Sequence, residues 1–349
     1  VGPHENIVNN YQEEHDGRRQ PMCKKVCALF VVVLLVCSAM SAAAQEKKGL
    51  EPLKLVLFTQ RSPLVVGQAK GFFAEEGIRL DITLTRNSVE QIRGILAGTW
   101  DLAQTATDNV IAYVESEGVD LAVFAGEERG LNISLFVQPG IKSVKDLKGK
   151  VLGVDAVATG FTFILRKMLI LNGLDLNRKD YELVAVGGTA QRLQALKEGK
   201  VAGTLLNMPY DDMAKQQGFV PLVAAKDVVD TFLASTWVGR RAWAAKNPDL
   251  LVRFIRAYIK SVDWLSNPSN KKEAVAIMAK EQKVSDEVAA KRLAQEVNPA
   301  TGVVPRAAID VKGIEAVMQL RAEAGLLKMP LPPAEKYYDV TYYNRAVQK

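Results

Sequence analysis

The chain has 349 residues, with 45 Lys or Arg against 39 Asp or Glu and an apolar fraction of 48%. That length allows two domains, and the composition is that of a globular protein rather than a disordered or fibrous one. The net charge of +6 is scattered, with no basic tract of the kind that follows phosphates, so nucleic acid is not an expected partner.

One segment departs from the average. Met22-Cys23-Lys24-Lys25 is basic, residues 26–40 are almost wholly apolar, and Ala42-Ala43-Ala44 ends the run in an A-x-A pattern. That order predicts a secretory signal peptide over 22–44, cleaved near Ala44. A permanent membrane anchor fits less well, because the apolar run is short and small residues close it. Residues 1–21 are polar and turn-rich and read as an upstream extension, disordered or not translated. Val36 is bulky where a lipobox ahead of Cys37 wants a small residue, so lipid anchoring is not expected. Cleavage removes Cys23, Cys27, Cys37, His4 and His15, which are all the cysteines and histidines of the chain. Disulfides, thiolate nucleophiles, Ser-His-Asp triads and His/Cys zinc sites are then excluded, and no cofactor or metal is expected. Four basic and four acidic residues leave with the segment, so the mature net charge stays at +6.

Beyond it, strand and helix patterns alternate. Residues 53–59 (LKLVLFT) read as a first strand. Ser62 and Pro63 cap and begin a helix that carries Leu64, Val65, Phe72 and Phe73 and stops near Gly77. Residues 78–84 form a second strand, Asn87-Ser88 cap a helix over 89–97, and 101–104 are a short third strand. Thr105-Ala106-Thr107-Asp108 lead into a helix over 109–116, and 119–125 are a fourth strand. After Asn132 the pattern restarts with an extended run over 133–138. The stretch 141–162 then gives a helical turn closed at Gly149, a buried strand over 151–154, and a loop into a helix at Thr159-Gly160. Such a junction places free helix-start N–H groups beside the carboxyl end of a strand, where open α/β sheets bind ligands. Further strands are expected at 181–186 and 202–206, with helices at 190–198 and from Asn207-Met208-Pro209-Tyr210 to Gly218. Gly98 and Gly199 each end a helix three residues before a strand, a weak internal echo. Residues 231–238 are extended, and the rest is mostly helical. Leu250, Leu251, Phe254, Ile255, Tyr258, Ile259, Val262 and Leu265 recur at helical spacing and make one apolar face. Helices follow near 271–281, 286–296 and 311–324, the last capped by Asp310, and 330–349 read as a packed irregular tail. The alternation predicts an α/β protein with mainly parallel, doubly wound sheets.

These motifs carry a family pattern. Ala69-x-Gly71-Phe72-Phe73-x-x-x-Gly77-Ile78 is followed by Gly98-x-x-Asp101, by Ile141-x-Ser143-x-x-Asp146-Leu147-x-Gly149-Lys150, and by Gly187-Gly188…Ala195-Leu196-x-x-Gly199. Asn247-Pro248-Asp249 then opens the long helix. In this order, from about 53 to 325, the chain resembles the periplasmic solute-binding proteins of ABC importers for nitrate, sulfonates, taurine, bicarbonate and thiamine-pyrimidine precursors. Ala202 departs from the acidic residue common there. The resemblance implies a type II periplasmic-binding-protein fold: two α/β lobes, two hinge strands and a ligand cleft between them. Lobe one would be discontinuous, 50–130 with 235–349, and lobe two would be 131–234, with hinges near 129–133 and 235–238.

On that plan, ligand groups come from loops at the carboxyl ends of strands in both lobes. The candidates from lobe one are Gln60, Arg61, Ser62, Asn87, Thr105, Thr107 and Asp108. From lobe two they are Asp155, Thr159, Gly160, Phe161, Gly188, Thr189, Asn207 and Tyr210. Hydroxyls and helix-start amides suit the oxygens of a carboxylate, sulfonate or nitrate, and Arg61 is the expected cation for an anionic ligand. Trp237 reads as core. The implied function is an extracytoplasmic receptor, not an enzyme, that captures a small anionic or organic-acid-like solute. It would act as a monomer and deliver the solute to an ABC permease and its ATPase. Two alternatives belong to other classes: an enzyme on the same fold, related to thiamine-pyrimidine synthesis, and a receptor that docks on a membrane sensor. N-terminal sequencing of secreted protein checks the first step; the expected start is Gln45, and a start far from it overturns the cleavage assignment.

Overall fold

The computed structural model describes residues 49–85 and 88–348. The predicted signal peptide, every cysteine and histidine, and the candidate Asn87 lie outside the described residues. Among those described, no helix is long and apolar enough to cross a membrane.

Among the described residues, ten strands form two five-stranded sheets. The first holds β1 (Glu51–Leu57), β2 (Ile78–Leu84), β3 (Leu102–Ala106), β4 (Leu121–Glu128) and β10 (Ser235–Arg240), in the order β2-β1-β3-β10-β4. The second holds β5 (Ser134–Val137), β6 (Val151–Val154), β7 (Glu182–Ala185), β8 (Gly203–Leu206) and β9 (Val220–Ala224), in the order β7-β6-β8-β5-β9. The two sheets share one plan. The Gly98/Gly199 echo reflects it: both glycines sit at positive φ, 80° and 69°, where a helix turns back toward a strand.

The sheets are mixed, each with one antiparallel strand, rather than wholly parallel. The antiparallel strands are the two that arrive from the other sheet. Ser134 at the start of β5 pairs with Leu206 at the end of β8, and Ser235 at the start of β10 pairs with Ala106 at the end of β3. Both crossings therefore join carboxyl edge to carboxyl edge. A chain entering a sheet at that edge must run against its neighbours, whereas a helical crossover returns it parallel. The second crossing occupies 225–234, and Ser235–Val238 lie inside β10.

Other boundaries differ from expectation for local reasons. The helix begun at Pro63 is two pieces, α1 (Ser62–Ala69) and α2 (Phe72–Glu75), separated by Gly71 at φ 76°. Arg61, not Ser62, is the N-cap residue of α1; the Ser62 hydroxyl faces Met278 Sδ at 3.0 Å. The strand β9 was not anticipated because Pro221 lies within it. It is an edge strand, where a missing N–H is tolerated. The tail is not wholly irregular, since Thr341–Val347 is helical and buries Tyr342 and Ala346.

The remaining helices that matter for the site are α3 (Ser88–Ala97), α4 (Thr107–Glu117), α5 (Gly160–Leu171), α6 (Thr189–Lys197) and α7 (Tyr210–Gln216). After β10 come α8 (Arg241–Lys246), α9 (Pro248–Ser266), α10 (Lys271–Gln282), α11 (Asp286–Glu296) and α12 (Val311–Glu323). The apolar face of α9 is buried as its spacing predicts. Its Phe254 and Tyr258 pack edge-on to Trp237 of β10, with ring centroids 4.9 and 5.3 Å away, which makes Trp237 core.

The two sheets are joined by a seam of three helices. Val110 and Ile111 of α4, Phe163 and Ile164 of α5, and Ile314 and Val317 of α12 belong to one apolar cluster that reaches from the first sheet into the second. Within it Arg321 Nη1 donates to Asp108 Oδ1 at 2.7 Å, both side chains being almost fully buried. The Arg321 guanidinium also lies 5.5 Å from the centre of the Phe163 ring. Burial pushes the Asp108 carboxyl up, while Arg321 and the Gly160 N–H pull it back toward the ionised form. Removing one partner leaves the other charge buried and alone, so Arg321→Ala should cost about 3–5 kcal/mol in denaturant unfolding at pH 7. That loss should shrink as the pH falls and Asp108 takes up a proton, because the stranded carboxylate is then neutral. A loss below about 1 kcal/mol at pH 7 contradicts the central place given to this pair.

Candidate functional site

The expected site residues fall into three groups. The first is at the carboxyl edge of the first sheet. Arg61, at the turn from β1 into α1, faces Glu127 and Glu128 at the end of β4. Its Nη1 donates to Glu128 Oε1 at 2.8 Å, its Nη2 donates to Glu128 Oε2, and its Nε lies 3.0 Å from Glu127 Oε1. Glu296 adds a third carboxylate through the backbone N–H of Ser62, 2.8 Å away. Burial disfavours the guanidinium, but Glu127, Glu128 and Glu296 together hold its pKa above the ordinary arginine value. Arg61 is therefore already matched by carboxylates, and this edge carries excess negative charge. Gln60 offers its carbonyl to Gln282 Nε2 at 3.1 Å. The local rule that a strand-end arginine is available to a ligand gives way here to residues remote in sequence.

The second group lies where the sheets meet. Thr105 is buried and its hydroxyl accepts from Asn109 Nδ2 at 3.0 Å. Thr107 and Asp108 lie in the first turn of α4 rather than in a loop ahead of it. The Thr107 hydroxyl is buried without a hydrogen-bond partner. Asp108 reaches the start of α5, where it lies against Gly160 and the backbone N–H there favours its ionised form. A Cβ on Gly160 would stand 3.0 Å from Asp108 Cβ and 3.5 Å from Phe232 Cζ, so glycine allows a close approach that a side chain would have to push back slightly. The helix start expected to hold a ligand anion thus faces a carboxylate of the chain itself. Phe161 follows, its ring 6.4 Å from that of Phe232. Thr159 is the N-cap of α5; its hydroxyl donates to Asp155 Oδ1 at 2.8 Å, and the Thr162 hydroxyl donates to the Ala156 carbonyl at 2.7 Å. Asp155 and Thr159 therefore shape the loop through each other.

The third group is at the carboxyl edge of the second sheet. Gly188 is the exposed N-cap of α6, and the Thr189 hydroxyl donates to Asn207 Oδ1 at 3.3 Å. Tyr210 opens α7 and packs on the apolar cluster beneath. Between them lies a residue that the reading of loops missed. Arg192, in α6, is 5% exposed. Its Nε donates to the Leu205 carbonyl at 3.2 Å, Nη1 to the Gly187 carbonyl at 2.9 Å, and Nη2 to the Thr189 hydroxyl at 3.1 Å. All three acceptors are neutral, so two of its five N–H donors remain. Burial pushes its pKa down, with Asp155 opposing at longer range. It borders a cavity of about 10 Å³ lined also by Gly153, Val154, Asp155, Phe161, Thr162 and Leu205. Helical spacing hid it: Arg192 sits one turn inside α6, between Gln191 and the buried Leu193, with no loop signal around it.

A larger open groove, of about 590 Å³, lies between α12 and residues 331–335. None of the strand-end residues lines it. Among the described residues, no group of three or more acidic side chains is arranged to hold a metal ion.

Residues 59–271 match the family model described as NMT1/THI5 like. The chain is 24% identical over 252 residues to a putative aliphatic sulfonates-binding protein of Bacillus subtilis, covering 70% of this chain and 74% of the relative. It is 25% identical to a formylaminopyrimidine-binding protein of Halalkalibacterium halodurans, covering 70% and 76%. In three dimensions it resembles the periplasmic aliphatic sulphonate binding protein of Escherichia coli, with TM-score 0.66 and 20% identity over 83% of this chain and 93% of that one. It also resembles the periplasmic nitrate-binding protein of Synechocystis, with TM-score 0.68 and 15% identity over 85% and 88%. A desulfurization enzyme shares the fold more distantly, at TM-score 0.60 and 15% identity. This chain belongs to the NMT1/THI5-like family and has the two-lobed periplasmic-binding-protein fold.

Proposed function

We propose that the protein is a non-catalytic extracytoplasmic receptor that closes its two lobes on a small anionic solute and passes it to an ABC permease. The observation that carries this reading is Arg192. A buried guanidinium whose contacts are all neutral oxygens is costly to maintain, and an anion within reach of its two remaining N–H groups offsets that cost. The placement at the carboxyl ends of β6 and β8 is where an open α/β sheet offers a ligand its strand ends. Relatives named for sulfonates and nitrate support the same chemistry. The anion would meet lobe two first, because the corresponding edge of lobe one already holds more carboxylates than cations. Binding would occur in one protein molecule, with closure stabilised by a ligand that touches both lobes.

An enzymatic role would have to work without imidazole or thiolate, since the described residues contain neither His nor Cys. Delivery to a permease and docking on a membrane sensor make the same demand on the cleft, and finding permease and ATPase genes beside this one would favour the first. Calorimetry against alkanesulfonates, nitrate, bicarbonate and pyrimidines tests the binding step. Micromolar or tighter affinity is expected for at least one anion, and Arg192→Gln should weaken it about 10- to 100-fold by removing a charged hydrogen-bond donor. An unchanged affinity in a folded Arg192→Gln protein overturns the assignment of this side chain.

A further inference from the structure

The end of β4 is the root of the crossing between the sheets. Its last residue, Glu128, accepts through its carbonyl from the Ala234 N–H at 2.8 Å, which ties the outgoing passage to the returning one. Beside it, residues 302–304 pair with the same strand end. Arg129 N–H donates to the Gly302 carbonyl at 3.0 Å, and Val304 N–H donates to the Glu127 carbonyl at 3.0 Å. The side chains at this root form the Arg61 cluster, with one guanidinium and three carboxylates. Glu127 is fully buried, and neither of its oxygens has a hydrogen-bond partner. Of the other elements packed here, α9 gives the phenol of Tyr258, β10 the indole of Trp237, and α10 the Met278 sulfur and the Gln282 amide; two further cations border them, Arg129 and Arg292 of α11, and their guanidinium groups donate to the Pro299 carbonyl and Gln282 Oε1 respectively. With every carboxyl ionised, the cluster would hold two uncompensated negative charges in a poorly hydrated place. A proton shared within it removes part of that cost.

We propose that the Arg61–Glu127–Glu128–Glu296 cluster is a proton-linked clasp on the hinge, closed when it holds a proton and loosened when it loses one. Burial pushes the Glu128 carboxyl up to about 7, with Arg61 pulling the other way and Glu127 and Glu296 adding to the rise. Burial also raises Glu296. A carboxyl with a raised native pKa stabilises the closed clasp fully below its ordinary range, and that stabilisation is lost as the pH rises through about 7. The clasp therefore tightens toward mild acid and slackens toward mild alkali, in the opposite sense to a simple carboxylate–arginine pair. The device does not depend on which solute the cleft takes.

Hydrogen exchange of the full chain tests it without a ligand. The amides of Arg129, Ala234 and Val304 report opening of the strand end, after correction for the intrinsic pH dependence of exchange. The wild-type opening equilibrium should rise about tenfold from pH 6 to pH 8, the change expected for one carboxyl with a native pKa near 7 and an ordinary value when open. Glu128→Gln should abolish that dependence, and Glu296→Gln should reduce it by lowering the excess charge. Amides of β6, remote from the cluster, should show no such dependence in any of the three proteins. A flat wild-type profile overturns the proposal even if a variant fails to fold, and so does a tenfold rise retained in Glu128→Gln.

Discussion

The ion pair between Asp108 and Arg321 sets the terms on which the two halves of this molecule meet. Its members come from α4 and α12, and Asp108 also packs against Gly160 at the start of α5. Three helices from distant parts of the chain are thereby held at one point inside a continuous apolar cluster. Charge buried at that depth is tolerated only with its partner in place, so the pair constrains geometry more than it adds stability. Close packing around Gly160 acts in the same direction, because a side chain there would press on Asp108.

Away from this seam the two sheets present opposite electrostatic edges. In the first, one guanidinium stands among three carboxylates. In the second, Arg192 stands among carbonyls and a hydroxyl. The two arginines have the same formal charge, yet their surroundings give them different work. Arg61 neutralises its own protein, and Arg192 retains donors for something else. An anion in the cleft would therefore be held by one wall and kept from the other. The family membership and the shared fold agree with a receptor of this kind, and the asymmetry adds a direction to the way a solute would sit.

The plan of the sheets also fixes where the chain passes from one to the other, and so where a hinge would lie. Both crossings run between carboxyl edges, which reverses the first strand of each arrival and leaves both crossings beside the strand ends. Anything that alters the packing of Glu128 or Ala234 acts where the two passages are bonded to each other. A hinge placed beside the site couples local charge to domain geometry without a long path between them.

Much of this was legible in the residues alone. Period-two and period-3.6 patterns located nearly every strand and helix, and the buried stripe of α9 followed from its spacing. The order of motifs from Ala69 to Asn247 led to the family. The misses have physical causes. Pro221 disguised β9, which is tolerated because it is an edge strand, and Gly71 split a helix that composition would have continued. The site was less legible than the fold. A strand-end Arg61 and a helix-start Gly160 have the right local chemistry for an anion, but the carboxylates that face them, Glu127, Glu128 and Asp108, come from 52 to 67 residues away, and tertiary contact alone brings them there. Arg192 shows the reverse, since nothing near it in sequence marks it, and only the folding of α6 over β8 buries it with neutral oxygens as its hydrogen-bond partners. Sequence determined the elements because periodicity is a local property of burial. The tertiary structure decided which charges remain available, because pairing depends on distances the chain acquires only when folded.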